Sequence, residues 1–169
     1  MHRNVALFAT IAVLASACGM SARVPVDPAT LPPEVPVLAD TASESVVVRT
    51  NAEREKLGLP KLLRSNRLMR AAQIQADQMA AAYLTAHDLP DAKYPSMDDR
   101  LAAVGYRYRA AGENVAGGQP NSAFVVATWM KSPGHRANIV SENYVEMGAA
   151  VAIGKNGRHF WAQVFGAPR

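Results

Sequence analysis

The segment that decides the fold of this chain is Ser132-Pro133-Gly134-His135-Arg136-Ala137-Asn138-Ile139. Two features upstream belong with it, the tripeptide Gly112-Glu113-Asn114 and the single residue His87. Together they supply two imidazoles and one carboxylate in a chain that has four histidines. These residues are too far apart in sequence for one helix to bring them together, so only the folded domain can assemble them. The pattern therefore indicates a site.

Three segments of the chain resemble the signature segments of bacterial members of the CAP superfamily, which groups cysteine-rich secretory proteins, antigen 5 and pathogenesis-related 1 proteins. The segments are Gly112–Ala116 (GENVA), Trp129–Ile139 (WMKSPGHRANI) and Phe160–Gly166 (FWAQVFG). The resemblance extends from about Ser43 to Gly166. It implies an α+β fold, an α-β-α sandwich with a central antiparallel sheet, and it places a further strand at 114–117. A fold does not by itself fix a function.

Cap and breaker residues predict four helices in the first part of the domain. They run from Thr41 or Ser43 to Leu57 with Gly58 behind it, from Asn66 to Leu84, from a Ser96–Asp99 capping box to Gly105, and from Asn121 or Ser122 to the break at Ser132-Pro133-Gly134. Helical spacing predicts two buried stripes. They are Val46, Val47, Ala52 or Glu53 and Leu57 in the first helix, and Leu68, Ala72, Gln75 or Ala76 and Met79 in the second.

The last part of the chain has the pattern of strands. Two apolar runs, Met147–Ile153 and Arg158–Phe165, are joined through Asn156-Gly157. Asn-Gly between such runs is a strong hairpin signal. Helices followed by strands are typical of an α+β domain, in agreement with the resemblance.

The N-terminal region predicts export from the cytoplasm. Residues 1–17 have the basic start and short apolar core of a signal peptide, and the core is shorter than the roughly 20 apolar residues of a spanning helix. Cys18 follows small residues as in a bacterial lipobox, which predicts lipidation at Cys18 and attachment to a membrane. The alternative is an ordinary secretory signal cleaved after Ala17. We expect residues 18–40 to form a proline-rich tether, and the resemblance implies that 41–169 form the CAP domain.

Composition excludes several classes of function. The formal net charge of +4 is modest and does not indicate nucleic-acid binding, although attraction to anionic envelope polymers or lipid headgroups is compatible with it. The chain lacks the His-Glu-x-x-His, Gly-x-Ser-x-Gly and Walker motifs. We expect the protein to be a monomer.

The basic residues in the first part of the domain alternate with apolar positions, a pattern typical of solvated helix faces. They are Arg49, Arg54, Lys56, Lys61, Arg64, Arg67 and Arg70.

The resemblance implies that His87, Glu113 and His135 line an open cavity that binds a divalent metal, most often zinc. Two imidazoles and one carboxylate form a suitable zinc set with a coordination position left for water or substrate. Ser132 stands where the family has a second glutamate, and a hydroxyl is a poor zinc ligand. Two alternatives need no metal. Glu113 can accept hydrogen bonds from backbone donors or from both histidines, and His135 can fix the turn after Pro133.

Three functions follow from these interpretations. The first is a non-catalytic binding module, secreted or lipid-anchored, that offers this cavity or a neighbouring apolar groove to a lipid or another envelope-derived ligand. The second is a zinc-dependent hydrolase of peptide or cell-wall substrates, with Glu113 as candidate catalytic base. The third is an interaction scaffold for another envelope protein. We rank them in this order, because one carboxylate cannot easily be both a strong metal ligand and a free base.

Overall fold

The computed structural model describes residues 42–169. The predicted signal peptide at 1–17, the tether at 18–40 with the lipidation site Cys18, and the candidate helix cap Thr41 lie outside the described residues. Within 42–169, no helix is long and apolar enough to cross a membrane.

Five helices and four strands make up the described domain. In chain order they are α1 Ala42–Lys56, β1 Leu63–Arg64, α2 Asn66–Ala82, α3 Met97–Ala103, β2 Tyr108–Gly117, α4 Ser122–Lys131, α5 Pro133–Val140, β3 Glu146–Ile153 and β4 His159–Pro168. The strand order in the sheet is β1-β3-β4-β2. β4 pairs antiparallel with both β2 and β3, and the two-residue β1 joins β3 in parallel. The predicted α+β class is confirmed, and the antiparallel description holds for the three long strands.

Helices cover both faces of the sheet. Side chains alternate along β4, so this strand contributes residues to the core on each face. Phe160, Ala162 and Val164 of β4 pack into one core with α2 and α3. Trp161 and Phe165 of β4 pack into a second core with α1, α4 and α5. All five residues are buried. The described domain is therefore an α-β-α sandwich with one core on each side of the sheet.

The predicted caps are mostly correct. Ser96 and Asp99 form the capping box of α3, and the Asn121 side chain accepts a hydrogen bond from the Phe124 backbone N–H at the start of α4. The cap of α2 is Ser65 rather than Asn66, which is the first residue of the helix. The same helix ends at Ala82, because Tyr83 adopts a left-handed conformation with φ 53°.

The interpretation of α1 as a helix with a fully solvated basic face is wrong at one residue. Arg54 is fully buried and its guanidinium donates hydrogen bonds of 2.7–2.8 Å to the carbonyls of Pro60, Ile139 and Ser141. The buried stripe of α1 is Val46, Val47, Thr50 and Arg54. Leu57, which was expected in that stripe, lies beyond the helix end and is 46% exposed.

The break at Ser132-Pro133-Gly134 separates two helices. α4 stops at Lys131 as predicted, and α5 starts at once with Pro133, since proline is well tolerated in the first helical turn. His135 therefore lies in the first turn of a helix and not in an extended loop. The predicted hairpin between β3 and β4 is confirmed, with Gly157 at φ +78° in the turn.

Candidate functional site

The candidate site lies along β2, which is an edge strand of the sheet. Alternation along a strand directs neighbouring side chains to opposite faces. Glu113 points toward α3 and the loop before it, where it contacts Arg100 of the helix and His87 of the loop. Asn114 points to the other face, where its amide donates to the carbonyl of His135 on α5. The Gly-Glu-Asn segment thus reaches both layers of helices at one edge of the sheet.

Both carboxylate oxygens of Glu113 are engaged inside the protein. The Nδ1 atom of His87 lies 3.0 Å from Oε1, and Nη2 of Arg100 lies 2.9 Å from Oε2. Glu113 is only 7% exposed and Arg100 is completely buried. A buried carboxylate needs a counter-charge or several hydrogen bonds, and Arg100 supplies both. The negative charge of Glu113 is therefore compensated by a residue of the chain itself.

Arg100 also holds the loop that carries His87. Its Nη2 donates to the His87 carbonyl at 3.1 Å, and Nη1 donates to the carbonyls of Tyr94 and Pro95 at 3.3 Å each. From α2, the buried Gln75 side chain donates to the carbonyls of Ala86 and His87 at 2.6 and 3.1 Å. Side chains of two helices thus fix the loop from 83 to 96, which we call the His87 loop.

His87 presents one side of its ring to solvent and the other to Glu113, and 55% of its side chain is exposed. The hydrogen bond with Glu113 raises the pKa of His87, partial burial opposes this effect, and the charges of Glu113 and Asp88 add to it. The protonated imidazole is therefore favoured at this position. His87 combines a fixed orientation with an accessible ring edge.

The pKa of His135 is shifted in the opposite direction to that of His87. Burial lowers the pKa of His135, and the charge of His87 lowers it further. Its Nδ1 atom is buried and has no hydrogen-bond partner within residues 42–169. The structure brings His87 and Glu113 into direct contact. His135 lies in the first turn of α5, and its backbone carbonyl is bonded to Asn114, the residue after Glu113.

α5 is attached to β2 by Asn138. Its amide donates to the backbone carbonyl of Glu113 at 3.1 Å and to the Asn114 side chain at 2.9 Å. The Tyr144 hydroxyl lies 3.3 Å from both the Asn138 side-chain oxygen and the Ala111 carbonyl, and it fills the space that a side chain at position 112 would need. Gly112 is therefore required for the close approach of Tyr144. These contacts join the Gly112-Glu113-Asn114 segment of β2 to the segment that contains α5.

The donors of this cluster do not fit a zinc ion in their present arrangement. Within 42–169, no three His, Cys, Asp or Glu side chains are placed to hold a metal. Glu113 is already paired with Arg100, and Ser132, the N-cap of α5, supplies no carboxylate. The two glutamates that follow α5 in the chain, Glu142 and Glu146, line other cavities, beside Arg54 and Tyr106 respectively. The zinc site at His87, Glu113 and His135 stays a prediction.

An apolar groove lies between the C-terminal turns of α2 and the His87 loop, with a volume of about 560 Å³. We call it the α2 groove. Its apolar lining is Ala81, Ala82, Leu84, Leu89, Pro90 and Ala92. Gln78, Asp91 and Lys93 add polar groups. Since Leu89 follows His87 by two positions, the groove and the Glu113 cluster share one loop.

Sequence analysis missed Arg100, Gln75 and the α2 groove residues. Arg100 occurs in a short helix with charged neighbours, Asp98 and Asp99, so its pattern is that of a solvated residue. Its burial follows only from the way β2, which carries Glu113, packs against α3 in the folded domain. The one available signal was the need of a buried carboxylate for a cation, and that signal does not select among eighteen lysines and arginines.

Comparison with known proteins agrees with this architecture. The family model "CAP: Cysteine-rich secretory protein family" matches residues 47–165. The chain belongs to this family. The match includes the Gly112–Asn114 segment, α4, α5, β3 and β4 as far as Phe165, so it contains every site residue described above.

Two curated relatives come from Bacillus subtilis (strain 168). The uncharacterized protein YkwD is 37% identical over 122 residues, which cover 72% of this chain and 46% of the relative. The uncharacterized membrane protein YlbC is 29% identical over 111 residues, covering 66% and 32%. The CAP chain thus spans less than half the length of both relatives.

Solved structures share the fold at low identity. An extracellular SCP-domain protein from Bacillus anthracis str. Ames superposes with a TM-score of 0.67 and 24% identity, over 75% of this chain and 40% of that one. An outer surface protein from Borrelia burgdorferi superposes with a TM-score of 0.68 and 18% identity, over 75% and 92%. These likenesses establish the fold alone.

Proposed function

We propose that this CAP protein is an extracytoplasmic, non-catalytic binding module for a lipid or another envelope-derived apolar ligand. The α2 groove takes the apolar part of the ligand, and the exposed edge of His87 lies beside its polar part. The observation that carries the proposal is the apolar lining of a groove that shares its loop with the Glu113 cluster.

The size and surroundings of the groove support this assignment. A volume of about 560 Å³ lies within the roughly 300–1,000 Å³ that small-molecule sites occupy. Leu84 in its lining is 52% exposed, and its neighbour Tyr83 is 46% exposed. Tyr83 holds a left-handed backbone, which is unfavourable for a residue other than glycine. Exposed apolar side chains beside a concave surface are typical of binding sites.

An extracytoplasmic location is supported by the predicted signal peptide at 1–17. It is also supported by two similar structures, one described as an extracellular protein and the other as an outer surface protein. Lipidation at Cys18 is part of the proposal, because an anchored chain would keep the groove near lipid ligands. Globomycin treatment of expressing cells, followed by mass measurement of the N-terminus, tests this part separately.

Titration of the full chain with a fluorescent fatty-acid analogue tests the binding function. We expect saturable binding of one probe per chain, and weakening of about tenfold or more in Leu84→Ser. Leu57→Ser is the matched control, because Leu57 is similarly exposed but does not line the groove. Absence of saturable binding to the folded protein, or equal binding by all three proteins, would contradict the proposal.

One observation favours a second function, hydrolysis of a peptide or cell-wall substrate. An accessible imidazole oriented by a buried carboxylate is suited to general-base chemistry, and His87 with Glu113 has this arrangement. Turnover of isolated peptidoglycan or a peptide library by the wild type, lost in His87→Gln but not in His159→Gln, would establish it. Equal release of products by both variants would exclude His87 as the base.

A further inference from the structure

We propose that Arg100 is the built-in counter-ion of Glu113 and that it takes the place of a divalent metal at this cluster. The wild-type protein then holds no zinc at His87, Glu113 and His135, and removal of the guanidinium creates a zinc site there. This inference goes beyond the proposed function, since it concerns cations at the cluster and not ligands in the α2 groove.

The charges of the buried pair are already balanced. Glu113 contributes −1 and Arg100 contributes +1, and their atoms approach within 2.9 Å with both side chains buried. Protein zinc sites compensate the ion with anionic or neutral donors. A zinc ion here would place a double positive charge near a guanidinium that stays protonated, and it would meet a Glu113 carboxylate that Arg100 already compensates. Electrostatics therefore disfavours zinc at the cluster.

Arg100 cannot move aside without breaking other interactions. Its guanidinium donates to the carbonyls of His87, Tyr94 and Pro95 in addition to Glu113. Displacement would leave these carbonyls and the carboxylate without their partners in a buried region, which is costly. The free energy of metal coordination would first have to offset the cost of these unsatisfied groups before a metal could bind.

The other side chains of the wild-type cluster add little affinity for a metal. The Nδ1 atom of His87 is occupied by Glu113, and the Ser132 hydroxyl is no substitute for a carboxylate. With Arg100 removed, Glu113 would become a buried anion lacking its strongest partner. His87 would stay in contact with it, and His135 lies in the first turn of α5, which is bonded to the adjacent residue Asn114. Two imidazoles and one carboxylate are donors that zinc favours. Arg100 is thus a positioning residue that determines which cation Glu113 accepts.

Calorimetric titration of zinc into metal-stripped full-length protein tests this inference. We expect no saturable binding at the cluster of the wild type, and one zinc per chain in Arg100→Gln with affinity at least about a hundredfold higher. The thermal midpoint of Arg100→Gln should rise with zinc, since a ligand that binds only the native state stabilises it. Arg109→Gln, which alters an exposed arginine on β2, should behave as the wild type.

Second variants locate the zinc and guard against a folding defect. His135→Ala added to Arg100→Gln should abolish the gained binding. Arg100→Lys keeps the positive charge and should gain none. If Arg100→Gln does not fold, the wild-type titration decides alone. Stoichiometric zinc binding by the wild type that is lost in His135→Ala would overturn the inference, as would a folded Arg100→Gln protein that gains no binding. Neither result depends on lipid binding in the α2 groove.

Discussion

At the scale of single residues, the site depends on how one buried carboxylate is compensated. Glu113 and Arg100 form a salt bridge with both side chains almost fully buried. The desolvation of two charges offsets much of their attraction, so such a pair adds little net stability. Loss of one partner is different, because the remaining charge is left buried and unpaired. The pair is therefore best tested by removing one charge and then both.

Glu113→Leu should lower the free energy of unfolding by about 3–5 kcal/mol, the usual cost of breaking a buried ion pair. Glu113→Leu combined with Arg100→Met should cost less than the sum of the two single substitutions, because the double variant has no unpaired buried charge. Urea unfolding followed by circular dichroism measures all three variants. If the two single costs simply add in the double variant, the two side chains are not coupled as described.

The two histidines should titrate on opposite sides of the ordinary imidazole pKa of 6.5. The pKa of His87 is raised by Glu113 and Asp88 against Arg100, so its stabilising contribution is complete below 6.5 and is lost as the pH rises through the folded pKa. Burial and His87 lower the pKa of His135, so folding loses stability as the pH falls below 6.5. NMR titration of both rings is the measurement, with His87→Gln as control, and matching titration curves would refute this assignment.

Sequence reasoning found the acidic and imidazole members of the cluster but not its basic member. His87, Glu113 and His135 occur beside recognisable segments, and histidine is rare enough in this chain to attract attention. Arg100 and Arg54 occupy short polar stretches of helices, where a buried guanidinium and a solvated one have the same local pattern. Their partners are carbonyls and a carboxylate outside their own helices, and only the tertiary structure brings these within hydrogen-bond distance.

At the scale of elements, α2 packs directly on β3 at Gly148. A side chain at this position would collide with backbone atoms of Leu68 and Met69, which cannot rotate away. Gly148→Ala should therefore destabilise the protein by about 3 kcal/mol, at the upper end of overpacking costs. Gly134→Ala in α5 is the control, since open space surrounds it and alanine favours helices. Equal urea midpoints for both variants would contradict this packing.

Arg54 connects the end of α1 to the end of α5. Arg54→Met would remove the donors for the carbonyls of Pro60, Ile139 and Ser141, and an unsatisfied buried polar group costs about 1–3 kcal/mol. We expect a loss of roughly 3 kcal/mol in urea unfolding. Lys56→Met, which breaks an exposed pair with Glu53, should cost less than about 1 kcal/mol. A loss for Arg54→Met as small as that of Lys56→Met would show that water replaces these bonds.

Helix limits and the hairpin were predictable because their signals are local. Capping side chains bond to backbone groups within one turn, and Asn-Gly favours the tight turn between β3 and β4. The parallel pairing of β1 with β3 was not predictable, since it joins Leu63 and Arg64 to residues far along the chain. The start of a new helix at Pro133 was also missed. Proline occurs both where a helix is interrupted and in the first turn of a helix, so the residue alone does not distinguish the two cases.

At the scale of the whole molecule, two cores on opposite faces of one sheet position the site at the free edge of β2. The described domain contains no cysteine, so packing and hydrogen bonds hold this edge without disulfides. The α2 layer contributes the groove and the His87 loop, whereas the α5 layer contributes His135. A ligand held between the groove and the cluster would therefore contact both β2 and α2.

An NMR titration of isotope-labelled protein with a long-chain fatty acid, kept below its micelle concentration, tests the proposed binding function most directly. We predict saturating amide shifts at Ala81, Ala82, Leu84 and Leu89, together with changes at His87. Little change is expected at Leu57 or around the β3–β4 turn. Shifts that do not saturate, or that avoid the α2 groove and the His87 loop, would contradict the account of this CAP domain as a lipid-binding module.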